Sequence, residues 1–300
     1  MKLKKLLTIL SIFALLITTI NLNSMKIIAA TVPSYSKSYY IGNISGGSSL
    51  GQQTASSVLS KGLTNALVIL DFGGQTAAYL GSTLSYPGTQ LVGGTASNVT
   101  INQITSYVQN FLSAFWVYAP ASYHIILGVG TNNSLACAYV GGQIWAQMIN
   151  NINSWISTVG YGSREIVYGA NDMENNWSSA SLARQWVDGY NSIGTIYLYD
   201  YGDCNGTWSQ DDNAYVAYNA RWSYPIPEIY FPRTPSYLGN ADYWSNLSIW
   251  NKANKGVSIA FPGVMTQYAC DSTSNYPTDG WTQLYNLTGQ APQYLTDISW

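Results

Sequence analysis

The sequence predicts an α/β protein folded as a single (β/α)8 barrel, and three observations carry that prediction. Apolar runs of strand length alternate with longer helical segments along the chain, the pattern of repeated βα units. The 300 residues, less a leader, leave one body close to the ~250 residues of such a barrel. The first strand is followed by Gly46-Gly47-Ser48-Ser49-Leu50-Gly51. That string lacks the G-x-G-x-x-G turn that would often mark an open doubly wound sheet.

The amino terminus comes first. Lys2, Lys4 and Lys5 precede a mainly apolar stretch from Leu6 to Ile20, and Ala29-Ala30 follow a short polar patch. This is the three-part pattern of a secretory signal peptide, here 1–30, with the barrel domain at 31–300. The apolar run is shorter than the ~20 residues that span a bilayer, which favours cleavage over anchoring. The expected location is therefore extracellular, with no stable membrane insertion after cleavage.

Predicted strands cover 39–45, 66–73, 123–131, 165–174, 195–203, 225–231, 256–265 and 294–298. Predicted helices cover 52–61, 101–118, 140–159, 178–190, 212–221, 241–254 and 281–287. The second helix places Ile101, Ile104, Val108, Phe111, Leu112 and Phe115 near a 3.6-residue period, so one face packs on a sheet. Residues 81–98, rich in Gly, Ser and Thr, read as a long inserted loop able to form part of a substrate wall.

Composition narrows the function. Charged residues make up 9% of the chain, 12 Lys+Arg against 14 Asp+Glu, with 47% hydrophobic residues. A nucleic-acid binder would show a clustered basic face, and a disordered chain would be polar and highly charged. Both are disfavoured. The lone His124 opens the third strand, away from the end where barrels carry their chemistry, so histidine-based hydrolysis and a histidine zinc site are disfavoured. Cys137, Cys204 and Cys270 all follow strands, and they allow one disulfide of unspecified pairing plus a free thiol. Asp203, Asp211 and Asp212 lack the spacing of a calcium loop. No cofactor and no metal are expected.

With few acids, their positions are informative. The only glutamates are Glu165, Glu174 and Glu228. Barrel active sites lie at the carboxyl ends of the strands, which sets Glu165 aside as structural. Toward that end lie Asp71 in LVILDFGG, Asp172 and Glu174 in IVYGANDMENNW, Asp200 and Asp203 in TIYLYDYGDC, and Glu228 in PIPEIYF. Side chains alternate across a strand. If Val167 packs on helices, Tyr168, Ala170, Asp172 and Glu174 face the barrel axis. The same rule sends Tyr197, Tyr199 and Tyr201 inward and Asp200 outward or up, and it puts Ile226, Glu228 and Tyr230 on one face. The direction of Asp71 is open. Glu228 has two readings, a cleft carboxylate or a structural partner of Arg233.

Two inward carboxyl groups are what glycoside hydrolysis needs, one to protonate the departing oxygen and one as nucleophile or base. Trp177, Tyr199, Tyr201, Tyr230 and Trp208 could stack on sugar faces, and Asp71 is a further candidate for substrate contact. Such residues imply a polysaccharide or oligosaccharide partner.

The D-x-E of Asp172-Met173-Glu174 resembles the acidic motif of several (β/α)8 glycosidases, including lysozyme-like muramidases and chitinase-like enzymes. The strings YGANDMENNWSS and PEIYF are similar to secreted bacterial glycoside-hydrolase-like barrels. The resemblance implies an exported hydrolase of a cell-wall or N-acetylated glycan, with Glu174 as general acid and Asp172 as its partner, orienting an acetamido group. It also resembles two-glutamate barrels, with Glu228 as the nucleophile. Asn43 stands where the muramidase pattern has an aspartate, and Val167 and Ala170 replace upstream chitinase aspartates. These departures define the alternative, a barrel without catalysis that binds glycans or surface partners.

Overall fold

The computed structural model describes residues 30–80, 83–92, 97–135 and 138–300. The leader, apart from Ala30, and Cys137 lie outside the described residues. In chain order the elements are β1 (Ser36–Tyr40), α1 (Gly47–Ser60), β2 (Asn65–Leu80), β3 (Thr83–Gln90), β4 (Asn98–Thr100), α2 (Ile101–Tyr118), β5 (His124–Asn132) and α3 (Tyr139–Val159). They continue with β6 (Glu165–Asp172), α4 (Ala180–Ile193), β7 (Leu198–Asp200), α5 (Gln210–Ala214) with a π turn over Tyr215–Asn219, β8 (Ser223–Pro225), α6 (Asn240–Lys255), β9 (Gly263–Thr266), α7 (Pro277–Thr288) and β10 (Tyr294–Ser299).

Eight parallel strands form the barrel, in the order β8-β7-β6-β5-β2-β1-β10-β9. The ring closes where Glu228 bridges Met265, with Ile229 N–H donating to the Met265 carbonyl at 2.8 Å and Met265 N–H donating to that of Pro227 at 3.0 Å. Pro225 and Pro227 supply no N–H, so β8 is short and the closure is a bridge rather than a full ladder.

The period-2 alternation divides the core into two shells. Leu67 and Ile69 of β2 join Ala170, Tyr199, Tyr201, Ile226, Tyr230, Met265 and Ile298 inside the barrel. Val68 and Leu70 face outward with Val167 and meet Val108, Phe111 and Phe115 of α2 and Trp145 and Ile149 of α3. α2 starts from a capping box, in which Gln103 N–H donates to Thr100 Oγ1 at 3.2 Å and Thr100 N–H donates to Gln103 Oε1 at 2.8 Å.

β7 and β9 are shorter than the predicted 195–203 and 256–265, and β8 ends at Pro225, where the predicted strand 225–231 begins. The predicted helix 212–221 becomes a short helix and a π turn, and two further segments differ from expectation. Of the predicted loop 81–98, residues 83–90 and 98 are strand, and 81–82 and 93–96 lie outside the described residues: β2 runs on past the barrel and pairs antiparallel with β3, Gly74 with Gln90 and Gln75 with Thr89, and β4 pairs with β3 in turn. Gln75 anchors this hairpin, accepting from Trp186 Nε1 at 2.5 Å and donating to the Gly141 carbonyl at 3.2 Å. The Gly, Ser and Thr content of the segment hides its strand character. β1 begins at Ser36 rather than Tyr39, because Ser36 and Ser38 point into the barrel, where Ser38 Oγ meets Thr296 Oγ1 at 2.7 Å. A polar barrel floor carries no apolar signal. Among the described residues no helix is long and apolar enough to cross a membrane.

Candidate active site

The carboxyl ends of β2, β6 and β7 and the segment after β8 bring six acids to one mouth of the barrel. Asp71, Asp172, Asp200 and Glu228 are buried, and Glu174 is half-buried at the cleft. Asp172, Glu174 and Glu228 each present an oxygen within 4.8 Å of the other two. Asp172 Oδ1 has no hydrogen-bond partner among the described residues. A hard divalent cation would fit three carboxylates so placed.

Main-chain geometry places these groups. Asp172 is the last residue of β6, and Glu174 lies two residues further on the same face. Asn133, just past β5, clamps the Glu174 backbone: its Nδ2 donates to the Glu174 carbonyl at 3.0 Å and its Oδ1 accepts from Glu174 N–H at 3.1 Å. Gly202 lets the end of β7 approach Met173, where a Cβ would run into the Met173 main chain. Its carbonyl then accepts from Glu228 N–H at 3.3 Å, which sets the third acid against the first two. Gly73, with φ +74°, bends β2 at the mouth, and its N–H donates to Asp71 Oδ1 at 2.6 Å.

Burial and mutual repulsion push these acids upward. Glu174 is raised to about 7, first by burial and then by the charge of Asp203, with a hydrogen bond from Glu228 opposing. Glu228 is driven well above the ordinary carboxylate range by burial and then by Glu174, and Asp172 by burial and then by Glu228 and Glu174. Asp71 rises to about 6 and Asp200 to about 8 by burial, against the N–H donors of Gly73 and Gly202. The Glu174 charge raises Glu228, while a hydrogen bond from Glu228 favours the Glu174 carboxylate, so the two side chains titrate as one coupled pair. The described ion pairs lie elsewhere: Arg184 and Lys255 hold Asp211 and Asp212, and Arg233 holds Asp242 at 3.1 Å. Glu228 is therefore not the partner of Arg233.

The aromatic candidates separate by depth. Trp177 stands on the rim, 45% exposed, with its N–H on the Glu174 carbonyl at 3.1 Å. Tyr230 lies beside Glu228, and Tyr201 lies beneath the acids, its hydroxyl donating to the Thr131 carbonyl at 3.0 Å. Gly130 makes room for that hydroxyl, since a Cβ there would sit 2.5 Å from it. Tyr199 does not reach the mouth: one strand repeat lower, it packs on Tyr168 at 5.2 Å and serves the core. Trp208 ties down the rim, donating to the Ser178 carbonyl at 3.1 Å. Glu165 and His124 lie at the opposite end, as expected. Asp211 and Asp212 stand apart from Asp203 in their own ion pairs, and Cys204 and Cys270 are free thiols. Asn132-Asn133 of ILGVGTNN stands among the polar strand ends that the sequence offers, though without a role, whereas nothing in the sequence marks Gly202 or Tyr40.

Fold and site together define a parallel eight-stranded α/β barrel with a buried carboxyl cluster, neutralised by no basic side chain among the described residues, at the carboxyl ends of its strands. No protein-family model and no curated protein sequence matches the chain. Among solved structures it is similar to a protein described as a mandelate racemase/muconate lactonizing enzyme from Labrenzia alexandrii DFL-11. That likeness has a TM-score of 0.46 and 10% identity over 90% of this chain, which spans 57% of that one. A GH113 β-1,4-mannanase gives a TM-score of 0.43 at 10% identity, covering 90% of this chain and 89% of the other. The endo-1,4-β-mannanase of Rhizomucor miehei gives 0.40 at 13% identity, covering 91% and 87%.

Proposed function

We propose that the protein is an exported glycoside hydrolase in which Glu174 and Glu228 form the working pair. The observation that carries this reading is a pair of cleft carboxyl groups with oxygens within 4.8 Å of each other, which no basic side chain among the described residues neutralises. Retaining enzymes hold their carboxyl groups ~5–5.5 Å apart, and inverting enzymes ~6.5–9.5 Å to admit a water. Glu174 and Glu228 each present an oxygen within 4.8 Å of the other, which brings both within reach of one glycosidic bond.

In the resting site Glu228 holds the proton and Glu174 is the carboxylate. When a glycan enters, that proton passes along the hydrogen bond to Glu174, leaving Glu228 ionised. Glu228 then attacks the anomeric carbon while Glu174 protonates the departing oxygen, giving a glycosyl ester on Glu228 and a Glu174 carboxylate. Glu174 next removes a proton from water, whose oxygen displaces Glu228 from the sugar. The Asp172 carboxyl, buried within reach of both, is itself held toward its neutral form by burial and by their charges. The D-x-E likeness to muramidases and chitinases rests on three residues, and the geometry supports the two-glutamate reading more strongly.

The test is reducing-end release from a panel of glycans by the wild type, Glu174→Gln and Glu228→Gln. Turnover by the wild type, lost by about a thousandfold or more in both variants, is expected when a unit of two acts together. A wild type that cleaves no member of the panel, or a Glu228→Gln enzyme with full activity, overturns the reading.

A further inference from the structure

Beside the acid cluster, a cavity of about 300 Å³ opens between the end of β1 and the start of α1. It is lined by Tyr40, Asn43, Ser49, Gln53, Tyr107 and Trp300 among others, and no side chain in its wall carries a charge at neutral pH. Its size is at the lower end for ligand pockets, ~300–1,000 Å³, which suits a ring rather than an extended chain.

Each wall offers something to a sugar. The Trp300 ring is 65% exposed and leans on Tyr40 with centroids 4.7 Å apart and planes 35° off parallel, so its other face is available for stacking. Asn43 Oδ1 is spent on Ser45 N–H and Oγ at 2.9 and 2.8 Å, which leaves its Nδ2 as a donor. Gln53 Nε2 donates to Ser49 Oγ at 3.4 Å one helical turn away, which leaves Oε1 as an acceptor. Tyr40 connects the cavity to the acids: it lines the one and is close enough to feel Asp172, Glu228 and Asp71.

We propose that this cavity is a subsite for an uncharged pyranose of the glycan, with Trp300 as stacking platform and Asn43 and Gln53 as hydroxyl readers. The placement rests on the hydrolase reading, since it makes the cavity one subsite of the same cleft. An anionic sugar would enter with acids behind it and no cation in the wall to offset their repulsion.

The experiment measures binding to the full chain carrying Glu174→Gln, which separates recognition from turnover. Calorimetric titrations use manno-, cello- and N-acetylchito-hexaose as neutral probes, with oligogalacturonate and chitosan hexamers as charged ones. At least one neutral hexamer binds, Trp300→Ala weakens it about tenfold and Gln53→Ala weakens it less, and the oligogalacturonate shows no binding. Binding that is indifferent to both substitutions, a charged hexamer that binds tightest, or no binding of any neutral hexamer overturns the subsite. Binding that responds to Trp300→Ala in a protein whose wild type cleaves nothing supports the subsite and removes the hydrolase reading. Cleavage indifferent to Trp300→Ala and Gln53→Ala does the reverse.

Discussion

Asn133 grips the main chain of Glu174 from both sides, donating to its carbonyl at 3.0 Å and accepting from its N–H at 3.1 Å. A side chain at the end of one strand thus stands in for the ladder that β6 has already left. Asn133→Ala removes both hydrogen bonds and is expected to cost about 1–3 kcal/mol of stability. If Asn133 acts by positioning Glu174, kcat falls about 10- to 100-fold while KM changes little. Steady-state kinetics on the glycan cleaved fastest by the wild type, with thermal unfolding beside them, measure both effects.

Asp203 supplies the largest charge effect on Glu174 after burial. Its own carboxyl is raised to about 6, so it is ionised at neutral pH. Asp203→Asn removes a negative neighbour that disfavours ionisation of Glu174, so the Glu174 carboxyl titrates lower. Activity that needs the proton of the pair is then lost at lower pH, and the basic limb of the kcat/KM profile moves to the acid side. A basic limb that stays in place would separate Glu174 from proton donation.

At the opposite end of the barrel, Glu165 is buried, neither of its oxygens has a hydrogen-bond partner among the described residues, and burial raises it to about 8 from 4.5. The folded protein therefore binds this proton more tightly than the unfolded chain. The associated stability is complete below pH 4.5 and is lost as pH rises through about 8. Glu165→Gln keeps the shape without the ionisation. The variant is expected to gain on the wild type across that window, by a few kcal/mol at most. Urea unfolding at pH 5 and pH 9 checks the sign: the difference should grow with pH.

Gly202→Ala tests how closely β6 and β7 must approach. The added methyl meets Met173 backbone atoms rather than a side chain able to turn away. A loss of about 1–3 kcal/mol is expected from the overpacking. Activity should fall beyond what unfolding explains, because Glu228 hangs from the Gly202 carbonyl. Retained activity at a temperature where the variant is folded would show that the Glu174–Glu228 distance tolerates the shift.

Alternation made much of this site legible before any coordinates. Val167 faces the helices, so Asp172 must face the axis, and Ile226 and Tyr230 carry Glu228 inward with them. Depth was not legible. Tyr199 and Tyr201 share a face, but only the second comes level with the acids, because strand tilt and stagger are properties of the closed ring. Long-range partners were also hidden. Arg233 lies five residues from Glu228 in sequence, but the turn before α6 delivers it to Asp242. The Asn133 clamp spans 41 residues, and the strand-end NN pair does not say which main chain it grips.

The chain has only three glutamates, so 13C labelling at the glutamate carboxyl carbon gives three resonances, assignable by the Gln variants. A pH titration of this spectrum tests most directly whether Glu174 and Glu228 share a proton. The account predicts that Glu174 and Glu228 both titrate above the ordinary range, Glu174 near 7, and that Glu228→Gln changes the Glu174 curve while Glu165→Gln leaves it in place. Two independent titrations near 4.5, unaffected by each other's substitution, would contradict the pair and with it the catalytic reading.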